Sequence, residues 1–246
     1  MKLWQSYIAI IVTFFGSQFL GLPIQKFLLE RMGGDLTNIE IVSQVISYSL
    51  LFTNTLAAVL IFLIIRKTPG FWDVFKGEKM SFPLLLLWGF IGFVLAIVGQ
   101  IFARFIEHYI FGIELGSENT EMISMIAKAS PIMIISVVFF APLLEEILFR
   151  RVLFGGLYKV SNFWVGAIAS GLAFAAAHRE FDHLIVYLMP AFAFAFVYYV
   201  TKSIWAPMIS HFLMNGMVIV ARAFVDPDEL QKMLEQAPQW IYWLFI

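Results

Sequence analysis

The chain has 246 residues, 61% of them hydrophobic and only 13% charged, with a net charge of −1 and no cysteine. A soluble domain carries about 25% charge, so this composition points to an all-α, polytopic membrane protein forming one integral membrane domain over 1–246. It excludes the basic face that nucleic acid requires. The lack of cysteine excludes disulfides, thiolate zinc sites and cysteine nucleophiles.

A helix needs about 20 largely apolar residues to cross the hydrocarbon core. The first such run is 3–27. One lysine precedes it and no small-residue cleavage site follows, so it reads as a retained span. Gly21 and Pro23 are expected to bend its far end. The second span, 41–65, stops at Arg66 and Lys67, and the following TPGFWDVFKGEKM mixes aromatics with lysines in a way that suits the membrane interface. The third span is 82–110. In the polar FGIELGSENTEMISMIAKAS that follows, Ser117 or Asn119 is placed to cap a short amphipathic helix reaching Lys128. Pro131 opens the fourth span, where its missing N–H is not needed, and Gly155–Gly156 ends it near residue 154. The remaining spans are 163–178, 184–200 and 204–224. The tail DPDELQKMLEQAPQWIYWLFI ends in an aromatic run too short to cross, which predicts an interfacial position. This makes seven spans, or eight if the tail or 123–140 re-enters the bilayer.

Lys2, Arg66, Lys67, Lys76, Lys79, Arg151, Lys159 and Lys202 fall on one side of this plan, and the acidic 107–121 stretch on the other. The asymmetry predicts a cytoplasmic N-terminus of a multi-pass cell-membrane protein.

Four charges interrupt the apolar APLLEEILFRR in the fourth span: Glu145, Glu146, Arg150 and Arg151. A charge near the bilayer centre costs about 2.5–3.5 kcal/mol by insertion scales. Glu146 and Arg150 are i and i+4, so they share a face and neutralise each other. Glu145 is rotated about 100° away and lacks a partner on its own helix, which leaves it poised for proton transfer. Taken alone, the Glu146–Arg150 pair reads as structural. The fifth span ends in FAAAH, with Phe174 one turn before His178 on the same face. The seventh carries HFLMN, with His211 and Asn215 at i and i+4, where the amide can fix the imidazole tautomer or share a ligand. Asp182 and His183 read as residues of a wet loop. Each histidine alone is as readily a satisfied inter-helix contact. Convergence of polar groups from three apolar helices is what favours a functional site.

EEILFR, FAAAH and HFLMN, in that order, resemble the EExxxR, FxxxH and HxxxN motifs of the CAAX protease and bacteriocin-processing (Abi) family of intramembrane proteases. The similarity covers 131–224, which it marks as the catalytic core, and the acidic loop is similar to that of Gram-positive members. The resemblance implies a helical bundle with a polar intramembrane cavity and peptide-bond hydrolysis inside it. By position, Glu145 would activate water, with His178 holding that water. His211 and Asn215 would stabilise the oxyanion. Glu146 and Arg150 would brace the site and Phe174 would shape the cavity. Glu145, His178 and His211 are also the candidate ligands should the enzyme use zinc. No HExxH is present, so the reading leans to a water-activating glutamate and leaves the metal open. The expected partners are the bilayer and a peptide or membrane-protein substrate, such as a signalling-peptide precursor or bacteriocin leader. The alternative is a bacteriocin-immunity or peptide-binding protein without hydrolysis. A small proton-coupled transporter is a third reading, disfavoured by the lack of an internal repeat. One tension remains: His178 ends its span, whereas Glu145 and His211 lie deeper in theirs.

Overall fold

A computed structural model describes residues 1–224, and among these there are helices and no strand. The helices are α1 (Leu3–Arg31), α2 (Ile39–Arg66), α3 (Phe82–Tyr109), α4 (Glu118–Ala129), a continuous run α5 over 135–160, α6 (Phe163–Ala177), α7 (Leu184–Thr201) and α8 (Trp205–Phe224). α1, α2, α3 and α7 are each long and apolar enough to cross a membrane, and α6 is a shorter apolar helix. The other two expected spans, in α5 and α8, are also helical. The chain is a multi-pass helical membrane bundle. The expected interfacial tail lies outside the described residues.

α1 and α2 form an antiparallel pair. The Met1 amine donates to Lys67 O at 2.7 Å, and Ser49 Oγ donates to Gly21 O at 3.2 Å. Asn38 caps α2 by accepting from the Glu40 and Ile41 N–H groups, as a short polar side chain does at a helix start. α1 continues past Pro23 to Arg31, four residues beyond its expected end. Ser117, one of the two expected caps, caps α4 through the Thr120 N–H.

α3 docks against α7 and α8 through small residues. A Cβ added at Gly92 would collide with Ser210 and Val197, and one at Gly89 with Ile209. Lipid is as apolar as the helix surfaces, so close backbone approach rather than hydrophobic drive holds such helices together. The contact is sealed by Ser210 Oγ, which donates to Gly89 O at 2.8 Å. That bond fixes the residue next to His211. The central core gathers Ile10, Ala57, Leu148, Phe154, Phe174 and Ala195, contributed by α1, α2, α5, α6 and α7.

Three expectations change. First, Gly155–Gly156 does not end the fourth span: the helix runs through to Val160. A Cβ on Gly155 would press on Val74 at 3.1 Å, and one on Gly156 on Tyr7 at 3.1 Å, so these glycines serve close packing. Second, Arg151, counted with the charges on one side of the membrane, is turned inward. It is fully buried, donates to Tyr7 Oη at 2.8 Å and lies over the Phe71 ring at 4.3 Å. Phe71 of the expected interfacial segment turns inward to meet it, and Val74 of the same segment is also buried. Third, Pro131 lies in a turn and α5 begins just after it.

Candidate active site

α5 is not a uniform α-helix. It has π-helical turns at Ile135–Phe140 and Glu146–Phe154, on either side of an α-helical Ala141–Glu145. Wide turns of this kind recur at functional sites, and here the sequence supplies a cause. Ala141 N–H donates to Ser136 O, five residues back. The next bond in that register would run from residue 142 to Val137 O, but residue 142 is a proline and has no N–H. An orphan carbonyl in an apolar setting is costly. Asn215 of α8 satisfies it, its Nδ2 donating to Val137 O at 2.9 Å.

The two glutamates diverge as helix geometry requires. Glu146 is fully buried. Its Oε2 lies 3.1 Å from Arg150 Nε, an ion pair by distance that is not aligned as a hydrogen bond. Its Oε1 lies 2.9 Å from His211 Nδ1. A carboxylate paired with a guanidinium only accepts, so His211 Nδ1 must carry the proton. The tautomer of His211 is therefore set by Glu146 and not by Asn215, the partner expected from the i, i+4 spacing. His211 Nε2 points to Glu145, 3.8 Å from its Oε2, too far for a direct hydrogen bond. Glu145 Oε2 is enclosed and has no hydrogen-bond partner, yet the side chain is 18% exposed. A buried line thus runs Arg150, Glu146, His211, Glu145. It carries two potential positive and two potential negative charges, so it is neutral overall when His211 is protonated.

Aromatic rings wall this line. Arg150 lies over Phe174 at 4.6 Å and over Phe194 at 5.2 Å. His211 meets the same two rings at 5.9 and 5.0 Å. Cations over aromatic faces are attracted by the ring quadrupole, which helps hold the buried Arg150.

His178 does end its helix, as the span boundaries required, and α6 does not extend past it. Its Nδ1 lies 2.9 Å from Phe174 O, so that nitrogen donates and Nε2 keeps its lone pair in the neutral ring. Phe174 spans the depth difference: its ring centroid is 4.6 Å from His178 and 5.9 Å from His211. The structure therefore brings Glu145, Glu146, Arg150 and His211 together directly, His178 through Phe174, and Asn215 through the α5 backbone.

The donor set does not suit zinc. Among the described residues, no three His, Cys, Asp or Glu side chains come close enough together to hold a metal ion. His211 Nδ1 is already committed to Glu146, which leaves only His211 Nε2 and Glu145 side by side. Three protein ligands are the usual minimum for a catalytic zinc, so this arrangement does not fit one.

Sequence reasoning missed a second polar cluster at the loop end of α6 and α7. Glu107 of α3 is buried and caps α7 from outside, accepting from the Ile185 and Val186 N–H groups at 2.9 and 3.2 Å and from His183 at 3.0 Å. His183 is therefore paired, its side chain 19% exposed, and is not simply a loop residue. Glu180 accepts from Asn119 N–H at 2.6 Å, Tyr187 Oη at 2.7 Å and Ser117 Oγ at 2.8 Å. Partial burial would raise the Glu180 carboxyl, but these donors outweigh it and hold it below the usual carboxylate range. The available signal was an acid two residues after the motif histidine.

Comparison with known proteins agrees with the motifs. The model of the family described as "Type II CAAX prenyl endopeptidase Rce1-like" matches residues 127–217. Over 98% of its length the chain is 33% identical to the "Putative membrane peptidase YdiL" of Bacillus subtilis, of which 99% is covered. It is also 33% identical, over its whole length, to the "Membrane-embedded CAAX protease MroQ" of Staphylococcus aureus, again covering 99% of that protein. No solved structure gives a significant match. With two full-length relatives at this identity, and with the three motifs in order along the sequence, the chain belongs to the Rce1-like CAAX protease family of membrane peptidases.

Proposed function

We propose that this peptidase is an intramembrane endopeptidase that cuts a membrane-associated peptide or protein with water activated by Glu145, and that 131–224 forms its catalytic core. The observation that carries this reading is the buried line of Arg150, Glu146 and His211 ending 3.8 Å from the unpartnered Glu145 oxygen. The family match at 127–217 and the names of the two relatives support peptide-bond hydrolysis.

In this mechanism Glu145 takes a proton from water as the water oxygen attacks the scissile carbonyl carbon. His178 Nε2, its lone pair free to accept, orients that water through the second O–H. The carbonyl oxygen becomes an oxyanion. His211 holds its Nδ1 proton against Glu146, so its Nε2 can donate to the oxyanion only as the imidazolium. Glu146 is the negative partner that stabilises that cation. Asn215 spends one amide N–H on Val137 O and has a second for the oxyanion. Glu145 then returns its proton to the leaving nitrogen as the C–N bond breaks and the oxyanion collapses, giving a carboxylic acid and an amine, which exchange a proton to leave as carboxylate and ammonium. A preorganised donor pair in a water-poor site is the largest source of rate in such acyl transfers. The Lys/Arg asymmetry supports a cytoplasmic N-terminus.

The test is mass spectrometry of membrane peptides from cells carrying wild-type or Glu145→Ala protein, followed by cleavage of the identified peptide by purified protein in nanodiscs. A peptide that stays full-length only in the variant cells is the expected result. Undiminished cutting by Glu145→Ala overturns the mechanism, and no length change for any peptide in either strain overturns the reaction.

A further inference from the structure

His178 caps the C-terminal end of α6, where the helix ladder stops, yet a group that orients water must hold its angle closely. Its backbone gives little help. The next residue, Arg179, has φ 62°, a left-handed conformation that favours glycine and that other residues adopt at a cost of about 1 kcal/mol. Something must hold the chain in that turn.

We propose that Tyr187 is a positioning residue for His178, and that Glu180 anchors it and ties it to the start of α4. The proposal rests on the reading of His178 as a working group. The Tyr187 ring stacks on the His178 imidazole with centroids 4.3 Å apart and planes 28° apart, on a ring already held by Nδ1 and by Phe174. Tyr187 Oη donates to Glu180 at 2.7 Å. The left-handed turn at Arg179 throws Glu180 back toward Tyr187. The same carboxylate accepts from Asn119 N–H in the first turn of α4 and from its cap, Ser117. Tyr187 Oη also lies 3.4 Å from Ser117 Oγ. One carboxylate therefore joins the helix that carries Tyr187, the loop that follows His178 and the helix that follows the acidic loop. A shift in the first turn of α4 reaches His178 through two bonds and a stacked ring. Neither Tyr187 nor Glu180 touches the reacting atoms, so their loss is read in turnover and in the imidazole signal, not in affinity.

Two variants separate the ring from the hydroxyl. Tyr187→Phe keeps the stack and loses the anchor; Tyr187→Leu loses both. The probe is a mixed pool of hydrophobic peptides in nanodiscs, followed on whichever member wild type cuts, together with NMR of protein labelled at histidine. The His178 signal is assigned by its disappearance in His178→Gln. Tyr187→Leu is expected to lower kcat about 10²-fold with little change in KM and to abolish the upfield ring-current shift of His178. Tyr187→Phe is expected to keep that shift and to restore kcat to within roughly tenfold of wild type. Glu180→Gln should match Tyr187→Phe. Wild-type kcat with an unchanged His178 signal in Tyr187→Leu would overturn the proposal, as would a change in KM alone. If instead His178→Gln cuts at the wild-type rate, the parent reading of His178 has failed. The NMR shift then still reports whether the stack exists.

Discussion

Two clusters of carboxylates hold this bundle, one within α5 and one at the loop end of α6 and α7. In the second cluster every acid is answered. Glu107 receives two backbone N–H groups and a histidine, and Glu180 receives a backbone N–H and two hydroxyls. In the first cluster Glu146 is answered by Arg150 and His211, but its neighbour Glu145 keeps an enclosed oxygen without a hydrogen-bond partner. A buried carboxylate with its donors in place fixes backbone. One that lacks them is held in readiness by the rest of the fold, and proteins keep such groups where they work.

The contrast is broken most severely at Glu145. Glu145→Gln should lower turnover by about 10²–10⁴-fold, the usual worth of a general base. It should leave the thermal unfolding midpoint in nanodiscs near that of wild type, because no hydrogen bond is lost. Glu146→Gln should do the reverse in kind, removing the charge that answers both Arg150 and His211. Stranding a buried partner costs about 3–5 kcal/mol, so the unfolding midpoint should fall sharply, with activity following the fold. Equal stability losses in the two variants would erase the distinction between them.

Asn215→Leu offers a finer cut. Val137 O would lose the amide N–H that it accepts from Asn215, at about 1 kcal/mol for a partly buried hydrogen bond. Pro142→Ala in the same background restores an N–H in the register of that carbonyl and should recover part of the stability. Activity should not return, because the amide is still missing. The smallest effect is one of pH. The Glu180 carboxyl is held below its ordinary value of 4.5, so its contribution to the fold is complete above that value. The contribution is lost as pH falls through the lowered one. Hydrogen-exchange protection factors of the first-turn amides of α4, which divide out the intrinsic pH dependence of exchange, should therefore be flat through neutral pH and fall only on acidification below the ordinary carboxylate range. Loss of protection beginning near neutrality would show that another group holds α4.

Much of this was legible in the chain. Span positions followed from runs of apolar residues, and the split between Glu145 and Glu146 followed from 100° per residue. Boundaries were less legible where one residue type has two uses. Gly155 and Gly156 read as a stop, yet they exist to let Val74 and Tyr7 approach. Arg151 counts by position with the charges on one side of the membrane, because nothing local to it announces that Tyr7 and Phe71, far away in sequence, will cover it.

Local order and composition alone determined that this chain crosses membranes as helices, which charges share a helix face and which motif residues are candidates for chemistry. Those follow from the cost of bare backbone in lipid and from the helical period. Only the tertiary structure decided which nitrogen of His211 is committed, what Asn215 repairs, and that Glu180 and Tyr187 stand beside His178. Those depend on distances between helices, which no periodicity along one helix contains.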